Sequence, residues 1–122
     1  MLGDLNILLV AGAKARHSAA RHAVIAENVA NANTPGYRAR DLEPFEAVYA
    51  QKSASADNAM NTEVAFREKT VDVFGAASPN GNTVSIEDQM FRAGEASRDH
   101  DIAMTIYSKA MAMLRAALGG RG

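Results

Sequence analysis

The chain reads as a mainly α protein in which two long terminal helices pair around an irregular middle segment. Three observations predict this. Apolar and small residues alternate steps of four and three along the start of the chain, and they do so again along its end. The stretch between is broken by Pro, Gly, Asn and Ser. Of 122 residues, 25 are alanine, whereas Leu, Ile, Val and Phe together number 24. With a net charge of only −1, this composition indicates helices with small-residue faces rather than disorder. Burial returns roughly 25 cal/mol per Å², and alanine offers few Å². A lone pair of such helices buries too little to offset ordering, so the ends are expected to be largely disordered until a partner completes the core.

The first helix is expected from Asp4, a plausible N-cap, to Asn31. Its stripe runs through Met1, Leu5, Leu8, Gly12, Ala15, Ala19, His22, Ala26 and Val29, widened by Leu9, Ala20, Ala23 and Ala30. Large residues stand at its start and small ones later, which lets another helix approach closely.

A ten-residue run then ends the helix: Asn28-Val29-Ala30-Asn31-Ala32-Asn33-Thr34-Pro35-Gly36-Tyr37. Asn favours caps and local side-chain-to-backbone bonds. Pro35 steers Thr34 out of the helical region, and Gly36 is free to take a positive φ. The run is a helix exit with a defined turn.

In the middle, Leu42 to Tyr49 is a short helix or strand carrying Phe45, Val48 and Tyr49. Gln51 to Thr62 reads as a loop. Val64-Ala65-Phe66 and Val71-Asp72-Val73-Phe74 are β-prone runs able to form a small hairpin. Ser78-Pro79-Asn80-Gly81-Asn82 is a turn cluster. Tyr37, Phe45, Phe66 and Phe74 are expected to pack this segment.

Ser85 opens the last helix as the first residue of a capping box closed by Asp88. The helix is expected to run to Leu118 and stop at Gly119-Gly120. Its stripe takes in Ile86, Met90, Ala93, Ser97, His100, Met104, Tyr107, Met111, Leu114 and Leu118, with Ala103, Ile106, Ala110, Met113 and Ala117 beside it. The chain thus divides into 1–35, 36–84 and 85–122.

Most other function classes lack support. The sequence has no cysteine, hence no disulfide or thiolate site. His17 and His22, five apart, do not share a helix face as ligands would, and Asp99-His100-Asp101 points three ways. Ser18 and His22 are spaced to hydrogen-bond, yet no nucleophile elbow, phosphate loop or carboxylate pair accompanies them. No catalytic residue, cofactor or metal is expected. A pI near 6.3 argues against nucleic-acid binding, despite the modest basic set Lys14, Arg16, Arg21, Arg38 and Arg40. Met1-Leu2-Gly3-Asp4 shows no secretory signal pattern, and no apolar run is long enough to span a bilayer. Met104, Met111 and Met113 fill a core or suit an adaptable interface.

The run from Asn28 to Tyr37, the Ala-rich helix before it and the C-terminal heptad helix together resemble the bacterial flagellar rod, hook and hook-associated axial proteins. Within that group the chain is most similar to the basal-body rod proteins, on its short length, Arg38-Ala39-Arg40-Asp41 after the Tyr, and Gly81-Asn82-Thr83-Val84-Ser85-Ile86-Glu87. The resemblance implies no enzymatic activity. It implies an antiparallel coiled coil of the terminal helices, forming the inner layer of a helical tube. It further implies a proximal-rod subunit of the drive shaft in the periplasm, needed for flagellum assembly and motility and exported by the flagellar type III apparatus. Implied partners are further copies of the chain, the rod proteins FlgC and FlgF, the adaptor FliE, the export gate and the MS ring. Asn28, Asn31, Asn33, Thr34, Pro35, Gly36 and Tyr37 are the motif residues; Leu5, Leu8, Ala15, Ala19, Ala26, Val29, Ile86, Met90, Met104, Tyr107, Met111, Leu114 and Leu118 are the candidate pairing and interface residues. The alternatives are another rod protein such as FlgC itself, or a stand-alone helical adaptor or export chaperone.

Overall fold

The computed structural model of the chain describes residues 2–54, 70–73 and 75–119. Its elements are α1 (Leu2–Ala30), β1 (Arg40–Leu42), α2 (Phe45–Ala54), β2 (Thr70–Asp72) and α3 (Ile86–Gly119). The two long helices pack along each other, and β1 lies against α1. They run antiparallel: Asn28 meets Gln89, His22 meets Ser97, and Gly12 lies by Tyr107.

Helix α1 begins at Leu2, so Asp4 lies in the first turn rather than at the cap. An acidic residue suits the positive end of the helix dipole in either place. The helix ends as expected. The Asn31 amide donates to Glu27 O and Asn28 O at 3.1 Å each, and the Ala32 amide to Val29 O at 3.2 Å, which tightens the last turn.

The segment at 42–49 resolves into both candidates. Leu42 ends β1, and Phe45 starts α2, whose first amides, Ala47 and Val48, donate to Pro44 O. Proline suits this entry because its missing N–H would be unpaired there anyway. Phe45 and Val48 turn inward; Phe45 meets the His17 ring edge-on at 5.7 Å and stacks with Tyr49 at 6.0 Å. Helix α2 runs on to Ala54, so residues 51–54 of the expected loop are helical. The rest of that loop, Val64-Ala65-Phe66, Phe74 and the tail from Gly120 lie outside the described residues. The small sheet is antiparallel but joins distant segments: Arg40 faces Asp72, Asp41 faces Val71 and Leu42 faces Thr70.

Ser85 caps α3 as expected: its Oγ accepts from the Asp88 amide at 3.3 Å and its carbonyl from Gln89 at 2.9 Å. Asp88 does not return the bond to Ser85. Its carboxylate takes Arg92 instead.

The seam between α1 and α3 corrects the expected stripes. The buried positions of α3 are Gln89, Ala96, Ala103 and Ala110, spaced seven apart. Those of α1 facing it are Ala11, Ser18 and Ile25, also seven apart, followed by Asn28. The spacing is as read, but each row falls one residue before the expected one. Ala19, Ala26 and Ser97 are exposed, as are Leu5, Val29, Met90 and Met104. The physical cause lies at one end. Burying Asn28 and Gln89 lets their amides bond each other, which turns both helices by about one residue, ~100°. The alanines of α3 then face Ala11, Ser18 and Ile25, and the small residues let the backbones approach closely.

Candidate functional site: the helix-exit joint

Asn28 is the centre of the joint and is fully buried. Its Nδ2 donates to Arg40 O at 2.7 Å and Gln89 Oε1 at 3.0 Å; its Oδ1 accepts from the Arg40 amide at 3.1 Å and the Tyr37 hydroxyl at 3.2 Å. Two donors and two acceptors are the whole capacity of a carboxamide. One side chain therefore ties α1, the exit run, β1 and α3 together. Burial, reinforced by Glu27, raises the Tyr37 phenol above its ordinary value, so it stays protonated and donates. Gln89 keeps one buried nitrogen, Nε2, without a hydrogen-bond partner among the described residues.

The exit run is held from the other side by Asn82. Its Nδ2 donates to Asn31 O at 2.9 Å and Thr34 O at 2.7 Å, and its Oδ1 accepts from the Val84 amide at 2.8 Å. It thus satisfies two carbonyls of the turn that follows α1. Asn31 Nδ2 donates back to Glu27 O at 2.8 Å, and its Oδ1 accepts from the Thr34 hydroxyl. Asn33, Thr34 and Pro35 lie exposed.

Two glycines let the two turns meet. Gly36 has φ 73° and Gly81 φ 85°, the left-handed region that favours glycine. A Cβ on Gly81 would come 3.4 Å from the Gly36 Cα. The Gly36 amide donates to Asn80 O at 2.9 Å, the Thr83 amide to Tyr37 O at 3.0 Å, and the Ala39 amide to Thr83 Oγ1 at 2.8 Å. The stretch 36–41 is thereby laced to 80–83.

An ionic cluster closes the joint. Asp41 takes a two-pronged bond from Arg21 at 3.0 and 3.1 Å, the Leu42 amide at 2.8 Å, and Arg92. Arg21 also lies 3.6 Å from Glu95. Burial alone would raise the Asp41 carboxyl, but Arg21, the Leu42 amide and Arg92 outweigh it and hold it below the ordinary carboxylate value. His17 Nε2 reaches Glu43 O at 2.7 Å. A cleft of about 260 Å³ beside this cluster is walled by Lys14, Phe45 and the paired Arg21, Asp41 and Arg92.

Of the motif residues read from the sequence, Asn28, Asn31, Gly36 and Tyr37 are brought together here. Asp41, Asn82 and Thr83, which the sequence offers only within resemblance and turn motifs, join them, as does Gln89, which it does not single out. The paired serine of His22 is Ser97, at 3.3 Å, rather than Ser18, which is buried in the seam. Among the described residues no three metal-ligating side chains gather. No described helix is long and apolar enough to cross a membrane. The arrangement fixes the direction in which the chain leaves the helix pair.

Residues 15–38, from mid-α1 through the exit run, match the family described as flagella basal body rod protein. The chain is also similar to the flagellar basal body rod protein FlgB of Agrobacterium fabrum (strain C58 / ATCC 33970), 28% identical over 109 residues that cover 80% of this chain and 81% of the relative. The resemblance read from the exit run is therefore found independently by both comparisons, and they support a structural role in the rod.

Proposed function

We propose that the chain is a proximal-rod subunit of the bacterial flagellar basal body, part of the drive shaft that joins the base of the motor to the distal rod. One observation carries this beyond the similarity. The helix pair holds apolar surface on two opposite sides. Met90, Met104 and Leu118 of α3 are exposed on one, and Ile102, Ile106 and Met113 on the other. A single chain rarely exposes so much apolar surface without a partner. Two opposed faces suit a subunit with neighbours on both sides, and contacts that do not close on themselves build a helical tube.

In this reading α1 and α3 form a coiled coil in the inner layer, and the joint sends the middle segment outward. The neighbours are further copies, FlgC and FlgF, the adaptor FliE, and the export gate and MS ring at the base. The subunit is exported by the type III apparatus and works in the periplasm.

The test is Gly36→Val in cells lacking their own copy. No neighbouring atom lies within 4 Å of a Cβ there, and the positive φ opposes the substitution at about 1–3 kcal/mol. Swimming and rod assembly are expected to fail while the protein is still made. Normal swimming would contradict the proposed role of the exit.

A further inference from the structure

Charge is segregated along the helix pair. Residues 5–26 of α1 and 102–119 of α3 hold no Asp or Glu; all 14 lie elsewhere in the chain. The same two segments carry Lys14, Arg16, Arg21, Lys109 and Arg115. Arg21 is bound to Asp41, and the other four form no ion pair among the described residues. Asp4, at the start of α1, stands in the seam register seven residues before Ala11. A chain of net charge −1 thus has one cationic end, the end away from the joint.

Apolar surface lies between these cations. Leu5 and Leu8 stand seven and four residues before Gly12, and Met104 and Met111 three before and four after Tyr107. Tyr107 approaches Gly12, so all of these share one side of the pair, and Leu118 continues it. It is the side away from β1, toward which Arg21 and Asn28 turn. Leu118 is 73% exposed and Leu5 46%. Arg16 stands four residues after Gly12 and three before Ala19; Arg115 stands four after Met111 and three before Leu118. Each arginine is exposed and borders the face on its own helix. Asn6, Thr105 and Ser108 fall round the helices from it, at about 100° per residue. The result is an apolar strip about 20 Å long, with an arginine on each edge.

We infer that this face docks on the surface of a bilayer that carries anionic phospholipids. The pair lies flat at the headgroup boundary, its apolar side chains among the acyl chains. Arg16 and Arg115 keep their stems on the apolar strip and turn their guanidinium groups to the lipid phosphates, which they match with two parallel bonds. Lys14 and Lys109 add to the attraction toward the charged surface. A protein partner forms about one hydrogen bond per 100–200 Å² of interface, and between its edges the strip has no side chain to make one. Hydrocarbon needs none. No described helix is long and apolar enough to cross a membrane, and this docking requires no crossing. It goes beyond the rod reading, because it concerns the chain before neighbours cover the face. Lipid and neighbours compete for the same side chains.

The test floats the full chain with vesicles of equal parts phosphatidylcholine and phosphatidylglycerol. The chain is expected to rise with them and to stay behind with vesicles of phosphatidylcholine alone. It has no tryptophan, so Leu118→Trp reports entry into the bilayer. The emission of that variant is expected to shift to the blue on the mixed vesicles and to stay unchanged with inorganic phosphate or polyglutamate. Arg16→Glu is expected to weaken vesicle binding about tenfold. Arg38→Glu, the same change of charge at an exposed site by the joint, is expected to leave it unchanged. Met104→Ser, which alters no charge, is expected to weaken it as well, with circular dichroism showing each variant folded as the wild type. No flotation, equal flotation with phosphatidylcholine alone, a blue shift on phosphate or polyglutamate, or equal weakening by Arg38→Glu would each overturn the docking. Vesicle binding is read on the purified chain alone, so its failure leaves standing the rod reading, which Gly36→Val tests in cells.

Discussion

The two ends of the helix pair differ in almost every physical respect. At the joint end, Asn28, Asn82 and Asp41 are buried and their bonds run between segments far apart in sequence. At the far end, Leu5, Ile7 and Leu9 of α1 and Met113 and Leu118 of α3 stand exposed, and no described ion pair crosses between the helices. The joint end fixes its own backbone, and Val29, Ile86, Met90 and Phe91 stand exposed on its outside. The far end holds surface that only a neighbour can bury. A buried polar group is costly unless bonded, so the joint tolerates only one geometry. Apolar contact is non-directional, so the far end accepts different neighbours. The joint specifies, and the open end associates.

Asn28→Ala is the strongest way to break that contrast. It leaves Gln89 Oε1, the Arg40 backbone and the Tyr37 hydroxyl without their partner. The expected cost is about 2–4 kcal/mol, read as a lower denaturant midpoint of the full chain. A change under half a kcal/mol would mean that the joint does not specify the fold.

Acid is a milder probe of the same end. The folded Asp41 carboxyl lies below its ordinary value of 3.8. Its contribution is therefore full above that value and is lost as the pH falls through the folded one. The other charged groups around it, Arg21, Arg92, Asp88 and Glu95, have Asp88 and Glu95 as further carboxylates. Asp41→Asn is expected to be less stable at neutral pH and to flatten the acid limb of the stability curve. An unchanged acid limb would show that those two carboxylates carry it.

Met113→Ser is the smallest expected effect on the isolated chain, within about 0.5 kcal/mol, because the side chain is largely exposed. The same change is expected to impair rod assembly in cells. A large loss of stability in the isolated chain would mean that the open end is not open.

The sequence made the local features legible and the distant ones much less so. Gly36, Ser85 and the turn at 78–82 carry their conformations in their own chemistry. The seven-residue spacing of both helices was equally readable. Their rotation was not, because Met and Leu outrank alanine on any apolar count, and Asn28 and Gln89 look like surface residues until they are seen to bond each other. The pairing of Asn82 with the exit run, and of Asp41 with Arg21 and Arg92, has no local signature. Neither does the sheet, since Arg40-Asp41-Leu42 is short and charged.

The contrast between the ends is tested most directly by amide hydrogen exchange on the dilute full chain. The amides of Ala39, Arg40, Thr83 and Gln89 are expected to be the most protected. Those of residues 5–10 and 106–118 are expected to exchange orders of magnitude faster, and to slow as protein concentration rises or a rod partner is added. Equal protection along both helices at dilution, or a joint that exchanges faster than the far end, would contradict the account.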